Sequence, residues 1–253
     1  MTTVTFETKV WREDWQALLL THRIERMVGR CRYPFARRVV HINNVDDTAP
    51  VIAAAELLVR RGVLTEFVLV ADHARAALDF FQVTAESFGR GYVYSIAELV
   101  ALYLCPTDFL LHFAGDTMPP RGPGWIDSAI QRMTADRRIK VANPLWNGRI
   151  DEARAESVAE DDGFFTGQGF SDQCYLVRTA DFRAPIYGED HPASARYPAF
   201  ADNLFERRVD AWMRNHDHLR ITAKRASYRH RNIRGAPGRL DRLGDRMAFK
   251  LGF

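Results

Sequence analysis

The chain has 253 residues, of which 47% are hydrophobic and 26% charged, with a formal net charge of only +3. These are the values of a globular protein able to bury a large core, as one large domain or two small ones, and no apolar stretch approaches the length of a membrane-spanning helix. Cys31, Cys105 and Cys174 show no CxxC spacing, and Met1 to Lys9 lacks the basic-then-apolar pattern of a signal peptide, so a soluble, cytoplasmic protein is expected.

Val4 to Phe6 reads as a first strand. Trp11 to Met27 reads as one helix, with Trp15, Leu18, Leu19, Ile24 and Met27 on its apolar face. Arg38 to Ile42 is strand-like and ends in Asn43-Asn44-Val45-Asp46-Asp47. Ala49 to Arg61 is a helix, with Pro50 allowed in its first turn and Gly62 closing it. Phe67 to Val70 is a strand ended by Ala71-Asp72, and Ala74 to Phe81 is helical. Tyr94 to Leu104 is helical, with Ser95 as its cap and Glu98 three residues on, and Pro106 stops it. Phe109 to Phe113 is a short apolar run too short for an independent helix and reads as a buried strand.

That strand stops at Ala114-Gly115, and Asp116 follows at once. Strands alternating with helices argue βαβ units and an α/β fold whose central sheet is mainly parallel and flanked by helices. Right-handed crossovers then put Asn43 to Asp47, Asp72 and Asp116 on one edge of the sheet, the carboxyl edge where ligands bind in open α/β folds. Gly115 lets a backbone or a phosphate come close, and Asp116 offers a hard oxygen ligand to Mg²⁺ or Mn²⁺. The competing reading has Asp116 merely capping the turn.

Beyond Asp116, Trp125 to Met133 reads as a helix and Ile139 to Ala142 as a strand ended by Asn143-Pro144. Arg149 to Gly169 is polar, acidic and loop-like, of a length that is usually functional or mobile. Gln173 to Arg178 is strand-like, Pro185 to Pro198 irregular, and Asn203 to Asn215 a helix with Leu204, Phe205, Val209, Trp212 and Met213 on its apolar face. From Arg214 onward basic residues far outnumber acidic ones, which should favour phosphate groups on a nucleotide, a nucleic acid or an anionic lipid.

Taken together, Asn43 to Asp47, Asp72, Ala114-Gly115-Asp116 and Asn203 to Asp210 resemble the pattern of GT-A fold glycosyltransferases, closest in style to family 2 of inverting enzymes, over about Val4 to His230. The resemblance implies a Rossmann-like nucleotide-sugar-binding half at 1–118 and an acceptor and catalytic half at 119–235, one domain followed by a basic tail at 236–253. It implies that Asn43, Asn44, Asp46 and Asp72 contact the nucleotide. Asp116 then stands at the last position of a DxD-like motif that binds a divalent metal and the diphosphate, although Ala114 replaces its first acid. The resemblance also implies a catalytic carboxylate at the start of a late helix, here Glu206 with Asp210 one turn on, and a metal-binding His near the domain end, here His230. Partners would be a nucleotide-sugar donor and a hydroxyl-bearing acceptor such as a glycan, a lipid-linked sugar or a small molecule, and the cofactor Mn²⁺ or Mg²⁺.

Each of these has a plainer alternative. Glu206 suits the first turn of a helix through the helix dipole, and Asp210 is at pairing distance along the helix from Arg207 and Arg214. His112 reads as a core histidine, and His216 and His218 as a solvated helix end. Trp125 and Trp146 could stack on a sugar, but packing is the commoner role. Gly167 to Gln173 reads as an acceptor-side loop or as a turn entering a strand. A different class of function is a non-catalytic phosphate-ligand binder acting through the basic C-terminus. Nucleic acid is not expected, because interleaved aromatics and RNA-binding signatures are missing. A nucleotidyltransferase on a similar sheet would carry a Gly-rich loop after the first strand, and Val4 to Trp11 has no Gly. Leu240, Leu243, Met247 and Leu251 recur at helical spacing among Arg239, Arg242, Arg246 and Lys250, as in a helix lying at the inner membrane surface, unless the stripe packs back on the domain.

Overall fold

A computed structural model describes residues 2–122, 124–197, 202–231 and 233. The first half holds β1 (Val4–Val10), α1 (Trp15–Leu19), α2 (Arg23–Cys31), β2 (Arg37–Ile42), α3 (Ala49–Arg60), β3 (Glu66–Leu69), α4 (Val70–Phe81), α5 (Ala85–Phe88), α6 (Tyr92–Leu104) and β4 (Phe109–Phe113). The second half holds β5 (Thr117–Met118), α7 (Gly124–Ala135), β6 (Ile139–Trp146), α8 (Ile150–Ala155), β7 (Ser157–Glu160), β8 (Phe164–Gly167), β9 (Cys174–Arg178), α9 (Thr179–Phe182), α10 (Phe205–Asn215) and β10 (Leu219–His230). The amphipathic segment expected from Leu240 to Leu251 lies outside the described residues. No helix among the described residues is long and apolar enough to cross a membrane.

The strands form one sheet in the order β3-β2-β1-β4-β9-β6-β10-β8-β7, and β5 pairs with the far end of β10. β3, β2, β1 and β4 are all parallel, as the alternation of strands and helices requires. β9 then enters antiparallel between β4 and β6, and β10 runs parallel to β6 and antiparallel to β8. The result is a parallel half joined to a mixed half.

Strand periodicity divides the core into two layers. Along β4, Phe109, Leu111 and Phe113 join one buried cluster while Leu110 joins the other, and along β9 Cys174 and Leu176 part from Tyr175 and Val177 in the same way. Successive side chains point to opposite faces, so the clusters lie on opposite sides of the sheet. One contains Leu99 of α6 with Phe205 and Met213 of α10, and the other Met27 of α2 with Ile126 and Met133 of α7.

Three expectations differ from what is seen. The helix read from Trp11 to Met27 is broken into α1 and α2. The Thr21 hydroxyl donates to the Ala17 carbonyl at 2.5 Å and accepts the Arg23 N–H at 3.1 Å, competing with the helical ladder. Ser95 is not a cap but lies inside α6, fully buried, with Oγ donating to Gly91 and accepting from the Phe205 N–H. The acidic stretch 149–169 is not an open loop: it carries α8 and the β7–β8 hairpin, which add strands to the sheet.

The central strand β1 buries a charge. Glu7 is 1% exposed and accepts from His41 Nδ1 at 2.9 Å and from His112 Nδ1, two histidines on the strands either side. Burial alone would raise this carboxyl, but the charges and hydrogen bonds of His112 and His41 outweigh it and hold it well below the usual range. Glu7→Gln is therefore expected to cost about 3 kcal/mol, the low end of what breaking a buried pair costs. Glu7 stabilises the fold above the ordinary Glu value and ceases to only as pH falls through its depressed one. Urea unfolding at pH 7 and pH 3 checks this: the loss should be full at pH 7 and smaller at pH 3, and a substitution without cost at pH 7 would overturn it.

Candidate functional site

Asp116 sits in a turn that almost every neighbour fastens. The Ala114 carbonyl accepts from the Thr117 N–H at 2.9 Å and from its hydroxyl at 2.7 Å. Arg23 donates from Nε to the Gly115 carbonyl at 2.8 Å and from Nη2 to the Thr117 carbonyl at 3.0 Å. A side chain at 115 has no room: a Cβ would lie 2.5 Å from Leu18 Cδ2 and 3.1 Å from the Lys9 carbonyl. Glycine is thus required for close approach.

β10 brings a second group to this turn. Its last residues pair antiparallel with β5, Arg229 with Met118 and His230 with Thr117, and the His230 N–H donates to Asn147 Oδ1 at 2.8 Å. His230 Nε2 then meets Asp116 Oδ2 at 3.0 Å, both side chains being partly open to water. Asp14 lies close by, its carboxyl accepting from the Trp11 N–H at 2.8 Å and pushed up to about 7 by burial, with the charge of Asp116 adding to the effect.

Because β1 to β4 are parallel, the residues that follow them share the carboxyl edge. Asn43 is buried and Asn44, at φ 51°, is exposed; both amides donate to the Val93 carbonyl, at 3.1 and 2.8 Å. Asp46 is exposed. Asp72 is exposed too, in the first turn of α4, which starts directly after β3 without the loop expected there. An acid is favourable at that position through the helix dipole alone.

Glu206 stands in the first turn of α10, half-buried, and accepts the Asp172 N–H at 3.2 Å. Burial, and then the charge of Asp172, raise its carboxyl well above the ordinary value. Asp210 is different: it is fully buried, with Oδ2 accepting from the Ser194 hydroxyl at 2.5 Å and Arg214 Nε at 2.8 Å. That carboxylate fastens α10 to the turn at Pro192–Arg196 and has no open face. Lys9, on β1, pairs with buried Glu98; Glu98 and then Asp172 hold its ammonium charged against the opposing effect of burial. His112 stacks on Tyr175 in the core, His216 pairs with Glu189, and Trp125 is buried, whereas Trp146 lines a cavity.

That cavity, of about 250 Å³, opens between the end of β6, α8, the segment 170–173 and β10. Sequence reading did not single out Arg196, which lines it, and counted Arg220, which also lines it, only among the basic residues after Arg214. The one available signal was Gly169, whose φ of +104° and lack of a side chain make room for the Arg196 guanidinium. Among the described residues, part of the basic character from Arg214 onward is paired: Arg214 with Asp210, Arg220 with Glu156, Lys224 with Glu160.

No model of a known protein family matches the chain, and no curated protein matches it. Solved structures do. GalNAc-T7 with UDP, GalNAc and Mn²⁺ superposes with a TM-score of 0.57 at 9% identity, over 93% of this chain and 44% of that one. S. aureus TarS 1–349 gives 0.49 at 12% identity, over 90% and 60%. Glucosyl-3-phosphoglycerate synthase from Mycobacterium tuberculosis, in complex with Mn²⁺, UDP and glucosyl-3-phosphoglycerate, gives 0.47 at 14%, over 99% and 79%. The chain spans less than half the length of GalNAc-T7.

Proposed function

We propose that this chain, which has the GT-A glycosyltransferase fold, moves a sugar from a nucleotide-sugar donor to a hydroxyl acceptor. The observation that carries the reading is the meeting of Asp116 and His230, 114 residues apart, at the carboxyl edge of the parallel strands. Both side chains remain reachable from solvent.

The pair suits a divalent cation by its donor chemistry. One carboxylate oxygen and one imidazole nitrogen are too few to enclose an ion, and no group of three or more such ligands occurs among the described residues. Mg²⁺ and Mn²⁺ are commonly held in this open way, by one or two protein ligands with phosphate oxygens and water completing the shell. When bound, such a cation would offset charge on the departing diphosphate. The remaining work falls to the chain. Asn43, Asn44, Asp46 and Asp72 are the candidates for holding the nucleoside. Gly115 lets the turn pack against Leu18 and the Lys9 carbonyl, and Arg23 holds that turn in place. Glu206 accepts the proton of the acceptor hydroxyl, on a segment separate from Asp116, as an inverting displacement needs. Asp210 positions α10 and, through it, Glu206.

A thermal-shift series with UDP, GDP, CMP and dTDP sugars, each with and without Mn²⁺, tests the reading. UDP with Mn²⁺ is the first pair to try, since GalNAc-T7 holds both. At a hundredfold excess over Kd a bound donor should stabilise the fold by about 2.7 kcal/mol. No shift with any nucleotide, with or without metal, would overturn it.

A further inference from the structure

The cavity beside β10 has a definite chemical bias. Its charged lining comprises Arg149, Arg196 and Arg220 against Glu152 and Glu156, an excess of one positive charge. Arg220 Nη2 lies 3.0 Å from Glu156 and Arg149 Nη1 lies 3.1 Å from Glu152. Arg196 is left with distant acids only, Glu156 at 3.9 Å and Asp210 Oδ1 at 3.7 Å, while Arg214 and Ser194 hold the other oxygen, Oδ2. The Arg196 hydrogen bond at 3.1 Å goes to the neutral Tyr197 hydroxyl.

The spare hydrogen-bonding capacity is of the donor kind. Arg220 Nε and Trp146 Nε1 are buried with no partner. The amide oxygens at the wall are engaged, Gln173 by the Tyr228 hydroxyl at 3.3 Å and Asn143 by Thr222 at 3.5 Å. Buried donors without partners are costly and call for an acceptor from outside. Arg149 is stacked on Trp146 at 4.2 Å, which holds its planar fork in place. Gly169 clears the room that the Arg196 guanidinium occupies, with Arg220 Nη1 also within 3.4 Å of a Cβ built there.

The cavity also lies where an acceptor must sit. Ser171 and Gln173 line it and flank Asp172, whose N–H holds Glu206. Tyr228 lines it two residues before His230. We propose that this cavity takes an acceptor bearing a carboxylate or phosphate, clamped by Arg196 and Arg220, with its reacting hydroxyl turned toward Glu206. This rests on the glycosyltransferase reading for the role of the ligand, but the anion preference itself does not. Guanidinium forks bind carboxylate and phosphate in the same bidentate manner, so the two sources are separated by experiment.

Titration calorimetry on the full chain, with UDP and Mn²⁺ present and absent, would use glucose 6-phosphate, glucuronic acid and glucose as probes. At least one anionic sugar should bind about tenfold or more tighter than glucose, the effect of one charge-assisted hydrogen bond. Which of the two binds tighter names the anion. Arg196→Gln and Arg220→Gln should each remove most of that preference and leave UDP affinity unchanged. Arg196→Lys, which keeps the charge, should retain part of it, and that distinguishes lost recognition from lost folding. Equal binding of all three sugars, or a preference that survives both Gln variants, overturns the proposal. Displacement of the anionic sugar by UDP also overturns it, by assigning the guanidiniums to the donor. If the preference holds but no nucleotide binds, the anion site stands and the glycosyltransferase reading fails.

Discussion

Glu206→Gln is expected to lower turnover by about two to four orders of magnitude, the usual contribution of a positioned general base. The amide keeps the size of the side chain and can still accept the Asp172 N–H, but it cannot take a proton. Nucleotide affinity should be unchanged, because Glu206 would act on the acceptor hydroxyl and not on the nucleotide. The pH profile gives an independent check. Burial and the charge of Asp172 raise the Glu206 carboxyl well above the ordinary value, and a base works only when deprotonated. Wild-type kcat/KM should therefore climb with pH along a limb lying above the ordinary Glu value of about 4.3, and the variant should lack that limb. The same shift predicts a stability change of opposite sense. The folded state holds this proton more tightly than the unfolded chain, so stability is full at low pH and declines as pH rises from the ordinary value through the raised one. The Gln variant should match wild type at pH 4 and exceed its Tm at pH 8. A variant that is slower but no more stable at pH 8 would mean the carboxyl is not strained as described. A variant of near wild-type rate would move the proton acceptor to Asp172.

The parallel half of the fold was legible because each of its strands is a run of local character. Phe109 to Phe113 is apolar at every position but one, and the structure keeps those bounds. The strand read from Arg38 to Ile42 starts one residue earlier, and the helix read from Asn203 to Asn215 starts two residues later, at Phe205, with its apolar face at helical spacing. β10 was hidden by its own charges: Arg220, Lys224, Arg225 and Arg229 make Leu219 to His230 look like the start of a basic tail. The acids of 149–169 looked like an open loop for the matching reason. Each stretch is the other's partner, Glu156 with Arg220 and Glu160 with Lys224, across 64 residues in both cases. Strand propensity is read from neighbours on a pleated surface, and these neighbours are distant in sequence. Proline misled in a smaller way. β6 continues through Pro144 to Trp146, because past Ala142 it no longer pairs with β9 and behaves as an edge, where proline is tolerated. At the site, a lone Asp after a buried strand was visible, but its pairing with His230 depended on a strand that the local pattern concealed.

Asp116→Asn separates a metal-binding role from a structural one. In the apo protein the side chain meets His230 at a partly open site, and such pairs contribute about 0–1 kcal/mol. The turn itself is held by Arg23, Thr117 and the Arg231 N–H on the Asp116 carbonyl, none of which needs the carboxylate. The apo Tm should hardly move. Nucleotide affinity in Mn²⁺ should fall by roughly two orders of magnitude or more, since a unit charge about 4 Å from an ion near the protein surface is worth about 4 kcal/mol. Affinity without metal should be the same in both proteins. His230→Gln should reduce the Mn²⁺-dependent part less, because it removes a neutral ligand while the backbone at 230 stays fixed by β5 and Asn147. In the double variant the two losses should not add, as both act through one ion. Calorimetric titration of UDP with and without Mn²⁺ on the four proteins decides the matter. If Mn²⁺ raises the affinity of wild type and the Asn variant equally, Asp116 is not a ligand of the ion and only caps its turn.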